Sequence, residues 1–321
     1  MASKNVPKEL EGYKTKEFLG KGTFANVFSC YKNNNRYALK RINSKEKFKK
    51  YALKEIEYLN AVDSEYVIKM EDHFITDNIQ YLVFEYLYDN LYNYVLKNKN
   101  YPNFNGLTNY CYQISCGLEH LHSKDIIHCD LKLENIMISS NLQNIKIIDL
   151  GSSVIKNKIR NITNFYIQSR YYRAPEILYE INISEKIDIW SLGVIITELI
   201  LKKCIFNGKN IPYMIYKISD YIDIPIMEVY KNSTTFEKLY DNYEGNYRHK
   251  DYKSRYRENK LEEYIIDGLR SNFDYIYDYQ IDNMVALTYK ILDYDYNTRL
   301  TAKQCKEELS ILEFSIENKE E

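Results

Sequence analysis

The chain predicts an α+β fold of two lobes, a strand-rich small lobe over about 1–86 followed by a mainly helical large lobe over about 87–321. Three observations predict it. Strand-like runs crowd into the first 86 residues around one helical stretch. From Asn90-Leu91-Tyr92 onward helical segments dominate, the most apolar being Ile187 to Leu201. And 321 residues with 45% apolar content are enough to bury one large core or two lobes.

The elements follow in order. Leu19-Gly20-Lys21-Gly22-Thr23-Phe24-Ala25-Asn26-Val27 is a glycine-containing loop between two predicted strands. Gly20 and Gly22 let the backbone come close to a ligand where a Cβ would crowd it. Arg36-Tyr37-Ala38-Leu39-Lys40 follows as a strand. From Lys45 to Asn60, Phe48, Ala52, Ile56 and Leu59 recur at helical spacing and form one apolar face. Glu55 lies beside that face, fifteen residues after Lys40. Gln80 to Leu87 reads as a buried strand running into a linker. Ile187 to Leu201 contains Asp188 and Glu198 and falls short of the roughly 20 residues a membrane span needs, so it reads as a core helix. Lys231 to Asn272 is polar, tyrosine-rich and weakly periodic, and reads as a partner-docking insert or a long surface excursion.

The most specific chemistry lies in Ile127-His128-Cys129-Asp130-Leu131-Lys132-Leu133-Glu134-Asn135, with Asp149-Leu150-Gly151 following, Asp149 standing fourteen residues after Asn135. An acid, a cation and an amide stand at fixed offsets, and a second carboxylate follows. Moving a phosphoryl group needs a carboxylate aimed at the attacking hydroxyl, oxygen ligands for Mg²⁺, and positive charge facing the phosphate. Asp130 suits the first need, Asn135 and Asp149 the second, and Lys132 the third.

This spacing resembles the catalytic loop and metal-binding turn of the protein kinases, and the resemblance covers roughly Tyr13 to Leu312. It implies a bilobal protein kinase fold, ATP and Mg²⁺ as cofactors, and protein serine or threonine as substrate. Leu19 to Val27 is then the nucleotide-covering loop, with Ala25 in place of its third glycine, and Lys40 contacts the α- and β-phosphates. Glu55 is the expected ion-pair partner of Lys40. Phe84 guards the back of the adenine pocket, Glu85 and Leu87 offer backbone groups to the adenine edge, and Val27, Ala38 and Met137 form its apolar walls. Ala174-Pro175-Glu176 closes the activation segment, with Arg299 as the buried partner of Glu176. Asp188 holds the backbone of the catalytic loop.

Within the kinases the chain resembles the CMGC group, and there the dual-specificity tyrosine-regulated (DYRK) family. Cys129 stands where most kinases have arginine, Gly151-Ser152-Ser153 follows Asp149, and Tyr166-Ile167-Gln168-Ser169-Arg170-Tyr171-Tyr172-Arg173 contains the tyrosine that this family autophosphorylates. Phosphate on Tyr166 would add about −1.5 to −2 charges. Arg170 and Arg173 are placed to bind it through charge-assisted hydrogen bonds. The alternatives are a homeodomain-interacting-kinase-like member of the same group and a catalytically silent pseudokinase. Ala25 for glycine, Leu150 for phenylalanine and Leu133 for proline favour the latter, yet none removes a charge or a metal ligand.

A net charge of −1 argues against nucleic acid or an acidic membrane as a general partner. The six cysteines form no C-x-x-C pair and read as reduced thiols of an intracellular protein, in nucleus or cytoplasm. Met1 to Leu10 carries no signal-peptide core. The expected state is a monomer.

Overall fold

Three tight turns set the small lobe. Glu11 and Gly12 (φ 46° and 80°), Asn33 and Asn34 (51° and 65°), and Asp77 and Asn78 (51° and 58°) all adopt positive φ. Two-residue hairpin loops of type I′ require this, and Asn, Asp and Gly tolerate it best. The turns join β1 (Glu9–Leu10) to β2 (Tyr13–Lys21), β3 (Ala25–Lys32) to β4 (Asn35–Ile42), and β5 (Met70–Thr76) to β6 (Ile79–Glu85). The six strands form one antiparallel sheet in the order β1-β2-β3-β4-β6-β5. The computed structural model describes residues 6–22, 24–159, 167–222, 229–230, 232–243, 246–250 and 260–317.

Helix α1 (Glu46–Ala61) sits against this sheet. Phe48, Ala52, Ile56 and Leu59 are buried as their spacing predicts, and Glu55 is buried with them at 3% exposure. The large lobe follows with β7 (Asp89–Asn90), a π-helical turn over Tyr92–Lys97, and α2 (Phe104–Ser123), capped by the Asn103 side chain, which accepts from Gly106 N at 2.8 Å. Four short strands then frame the polar loops: β8 (Ile126–Ile127), β9 (Ile136–Ile138), β10 (Ile145–Ile147) and β11 (Val154–Ile155). β9 lies between β10 and β7, and β8 pairs with β11.

The helical layer comprises α3 (Lys156–Ile159), α4 (Pro175–Leu178), α5 (Lys186–Leu201), α6 (Ile211–Ser219), α7 (Thr234–Leu239), α8 (Lys260–Asn272), α9 (Asp278–Ile291) and α10 (Ala302–Glu317), with the hairpin β12 (Tyr240–Tyr243) and β13 (Asn246–His249) after α7. Helix α5 is buried along nearly its whole length, between α2, α8 and α9, as expected of a helix apolar all round. Within 231–272 the described residues depart from a surface excursion. Phe236 and Tyr240 are core residues, and Leu261, Ile265 and Leu269 bury one face of α8 on α5.

The lobes meet at Val67 and Ile147, which form a parallel bridge, with Ile68 N donating to Ile147 O and Ile147 N donating to Tyr66 O, both at 2.9 Å. Among the described residues no helix is long and apolar enough to cross a membrane.

Candidate active site

Between the lobes lies a cavity of about 580 Å³. Its roof is the β2–β3 hairpin, where Leu19, Gly20, Gly22, Phe24, Ala25 and Val27 line it. A Cβ built on Gly20 meets nothing within 4 Å, so that backbone faces open space. Phe24 anchors the loop on α1, packing on Phe48 (5.4 Å between centroids) and Tyr51 (5.1 Å). Strand alternation divides the predicted loop residues. Gly20 pairs with Val27 and both line the cavity, whereas Lys21 pairs with Asn26 and neither does. The side chains of Lys21 and Asn26 thus lie on the pleat opposite Gly20 and Val27. Thr23 lies outside the described residues.

The inner wall carries the charges. Lys40 Nζ lies 2.7 and 2.8 Å from the two carboxylate oxygens of Glu55 and 3.0 Å from Asp149 Oδ1. Burial disfavours the charge on Lys40, but the carboxylates of Asp149 and Glu55 outweigh it and hold its pKa above the ordinary lysine value. Lys40 in turn pulls the Asp149 pKa down. Burial pushes that of Glu55 up, against the pull of Lys40. Asp149 has φ 64°, a left-handed conformation that bulky residues avoid, and it turns the carboxylate toward Lys40. Leu150 behind it is fully buried, filling the core.

The floor is the loop from Asp130 to Asn135. Asp130 Oδ2 accepts from Lys132 Nζ at 2.8 Å and from Asn135 Nδ2 at 3.1 Å. Asn135 Nδ2 also donates to Asp130 O at 2.8 Å, which leaves the side-chain oxygen of Asn135 for another partner. Buried Asp188 anchors the loop from α5, accepting from His128 N (2.8 Å), Cys129 N (3.0 Å) and the His122 ring (2.9 Å). These bonds hold Cys129 at φ 63°. The His128 ring accepts from Asp130 N at 3.2 Å on Nδ1, so Nε2 carries the proton and donates to Ile148 O at 3.0 Å.

Phe84, Glu85, Leu87, Ala38 and Met137 all line the cavity. The site thus brings together Lys40, Glu55, Asp130, Lys132, Asn135 and Asp149, drawn from four separate segments. It also holds groups that sequence reasoning missed. Ser169 Oγ donates to Asp130 Oδ1 and accepts from Lys132 Nζ, both at 2.8 Å. Ile68 and Ile148 extend the apolar wall, and Asp89, Asn90 and Asn93 stand at the mouth. The only sequence signal for Ser169 was its place beside Arg170. The metal-ligand chemistry fits a hard divalent cation. Asp149 and Asn135 present oxygens to one cavity, and Mg²⁺ is commonly held by one or two protein oxygens plus phosphates and waters. Among the described residues no group of three or more His, Cys, Asp or Glu forms a complete protein cage.

In the activation segment, Arg170 is exposed while Arg173 is buried at 4%. Arg173 Nε donates to Ile167 O (3.0 Å) and Gln168 O (3.1 Å). Tyr166, the expected phosphate carrier, lies outside the described residues. Glu176 and Arg299 form a fork-to-fork pair at 2.7 and 3.0 Å, both fully buried.

Residues 13–309 match the protein kinase domain family model. The chain belongs to the protein kinase family. Its similarities are to DYRK-like members of the CMGC group. It is 36% identical over 224 residues to dual specificity tyrosine-phosphorylation-regulated kinase 4 of Homo sapiens, covering 66% of this chain and 42% of that protein. It is 35% identical over 244 residues to dual specificity protein kinase YAK1 of Saccharomyces cerevisiae, covering 70% and 29%. Homeodomain-interacting protein kinase 1 of Caenorhabditis elegans is 35% identical over 209 residues, covering 62% and 24%. The matched region thus spans less than half the length of these relatives.

Proposed function

We propose that the chain is an ATP- and Mg²⁺-dependent protein serine/threonine kinase of the DYRK type that also phosphorylates its own Tyr166. One observation carries this reading: a lysine ammonium, two acidic oxygens, an amide oxygen and a second lysine converge on a single interlobe cavity. In this role Lys40, held protonated between Glu55 and Asp149, presents its charge to the α- and β-phosphates. Asn135 and Asp149 hold the metal. Bound Mg²⁺ would supply positive charge at the phosphate oxygens. Asp130 accepts or orients the proton of the substrate hydroxyl, and Lys132, fixed by Asp130 and Ser169, neutralises charge on the moving group.

Lys40→Met tests the reading. The cavity then keeps two carboxylates with no ammonium between them, and transfer falls by about 10²-fold or more, the scale on which one electrostatic donor acts. Calorimetry with a non-hydrolysable ATP analogue and Mg²⁺ gives the matching loss of affinity. Parent-like turnover in this variant would reject the assignment.

The substrate proposed is serine or threonine followed by proline, with an arginine upstream. Glu134 lines the cavity, and its charge acts on Glu198, whose pKa burial pushes up to about 7. Tyr172 hydroxyl donates to Glu198 at 2.5 Å. The exposed carboxylate of Glu134 supports a basic residue in the peptide. The proposed setting is intracellular, as a monomer, without nucleic acid or membrane partners. For Tyr166, recombinant protein is expected to carry phosphotyrosine in the peptide ending at Arg170. Peptide mass spectrometry that finds it wholly unmodified in fully active protein removes the autophosphorylation reading.

A further inference from the structure

The linker between the lobes is pinned through its side chains from both directions. Strands β4 and β6 pair Tyr37 with Glu85 and Ala38 with Phe84. One residue further, where β6 has ended, the same register sets Arg36 opposite Tyr86. The Arg36 guanidinium carbon stands 3.8 Å from the centre of the Tyr86 ring. By strand alternation Arg36 shares a face of β4 with Ala38 and Lys40, both of which line the nucleotide cavity. Tyr86 lines it too, so the stack closes the small-lobe side of the rim. Glu17, 3.3 Å from Arg36 Nη2, steers the guanidinium from outside, but its side chain is 74% exposed. Glu85 Oε1 accepts from Lys146 Nζ on β10 in the large lobe and from Lys69 N in the small lobe, both at 2.8 Å.

We infer that the Arg36–Tyr86 stack and the Lys146–Glu85 ion pair form a two-sided clamp on the linker that fixes the edge of the nucleotide cavity. Arg36 and Lys146 are positioning residues: neither lines the adenine side of the cavity, and each acts through the linker residue it holds. The inference rests on the nucleotide-binding reading of this cavity. An arginine over an aromatic face contributes least when exposed and most when desolvated. Arg36 is about one-third exposed, between those limits. Loss of the clamp lets the linker move relative to the Lys40 site, which weakens nucleotide capture and leaves the Asp130 chemistry in place.

The test is steady-state kinetics with ATP varied, together with calorimetric binding of a non-hydrolysable ATP analogue. Arg36→Ala is expected to raise KM for ATP by about three- to tenfold, with kcat within about twofold. Arg36→Gln, which keeps length without charge, does the same and serves if the alanine variant does not fold. Glu17→Gln leaves KM unchanged. In a double-mutant cycle, Arg36→Ala produces little further change once Tyr86→Leu is present, because the partner is gone. Lys146→Met raises KM independently, and its effect adds to that of Arg36→Ala. Unchanged KM in the Arg36 variants, or an Arg36 effect of undiminished size in the Tyr86→Leu background, overturns the clamp. A parent protein that binds no ATP analogue overturns the functional reading instead.

Discussion

Asp130→Asn is expected to lower phosphoryl transfer by about 10²–10⁴-fold, the range over which a positioned general base contributes, with little change in nucleotide affinity. The carboxylate uses both oxygens: Oδ1 accepts from Ser169, and Oδ2 accepts from Lys132 and Asn135. An amide supplies one acceptor oxygen and puts two N–H donors where the other oxygen stood. With the N–H₂ at the Oδ2 position Lys132, which can only donate, loses its acceptor, and with it at the Oδ1 position Ser169 must turn its hydroxyl to accept. The change removes the proton acceptor and disturbs the cation that faces the phosphate, so kcat falls while the Lys40 triad, on the opposite wall, keeps its geometry. Incubation of parent and variant with Mg²⁺, ATP and a basic protein substrate reads the difference directly. Equal phosphate incorporation in both would remove Asp130 from the mechanism.

Much of the site was legible because its charged members sit in short motifs with fixed offsets. Asp130, Lys132, Asn135 and Asp149 were assigned from spacing and chemistry, Lys40 and Glu55 from the kinase resemblance, and the structure brings all six to one cavity. Other features depended on information that local spacing does not carry. Ser169 lies 39 residues from Asp130, and only the path of the activation segment brings the two together. The pairing of Lys21 with Asn26, one step from that of Gly20 with Val27, likewise depends on strand register. In the stretch 231–272, tyrosine counted as polar concealed core character. The Tyr240 hydroxyl meets that of Tyr179 at 2.9 Å, and that of nearby Tyr230 donates to Tyr294 O at 2.6 Å. A buried tyrosine whose hydroxyl has a partner packs as a large apolar residue. The stripe of Leu261, Ile265 and Leu269 was present in the sequence at helical spacing, diluted by charged neighbours.

The inner wall also shows which conformation the sequence stabilises. Lys40 bonds Glu55 from α1 and Asp149 from the turn before β11 at once, so the helix and the turn are drawn to the same ammonium. Gly151 packs beside the pair: a Cβ there would stand at ordinary contact distance, 3.4 Å from Asp149 Oδ1 and 3.8 Å from Glu55 Oε2.

The largest stability effect is expected at the pair Glu176 and Arg299, joined across 123 residues. Arg299→Met strips the partner from a carboxylate that has no exposure, and about 3–5 kcal/mol of folding stability is lost, because the remaining charge is buried and unpaired. The guanidinium does more than neutralise. Its Nε donates to Asp293 O at 2.8 Å and its Nη1 to Lys186 O at 2.9 Å, and it stacks 5.1 Å from the Trp190 ring. These contacts tie the end of the activation segment to the start of α5 and to the turn before α10. A second variant, Glu176→Leu with Arg299→Met, separates the two contributions. It removes the orphaned charge, so it is more stable than Arg299→Met alone, yet it leaves the Asp293 and Lys186 carbonyls without their donor and stays below the parent. Denaturant unfolding monitored by Trp190 fluorescence orders the three proteins. Were the single variant as stable as the parent, the pair would be ornamental; were the double variant no better than the single, the backbone bonds rather than the charge would carry the stability.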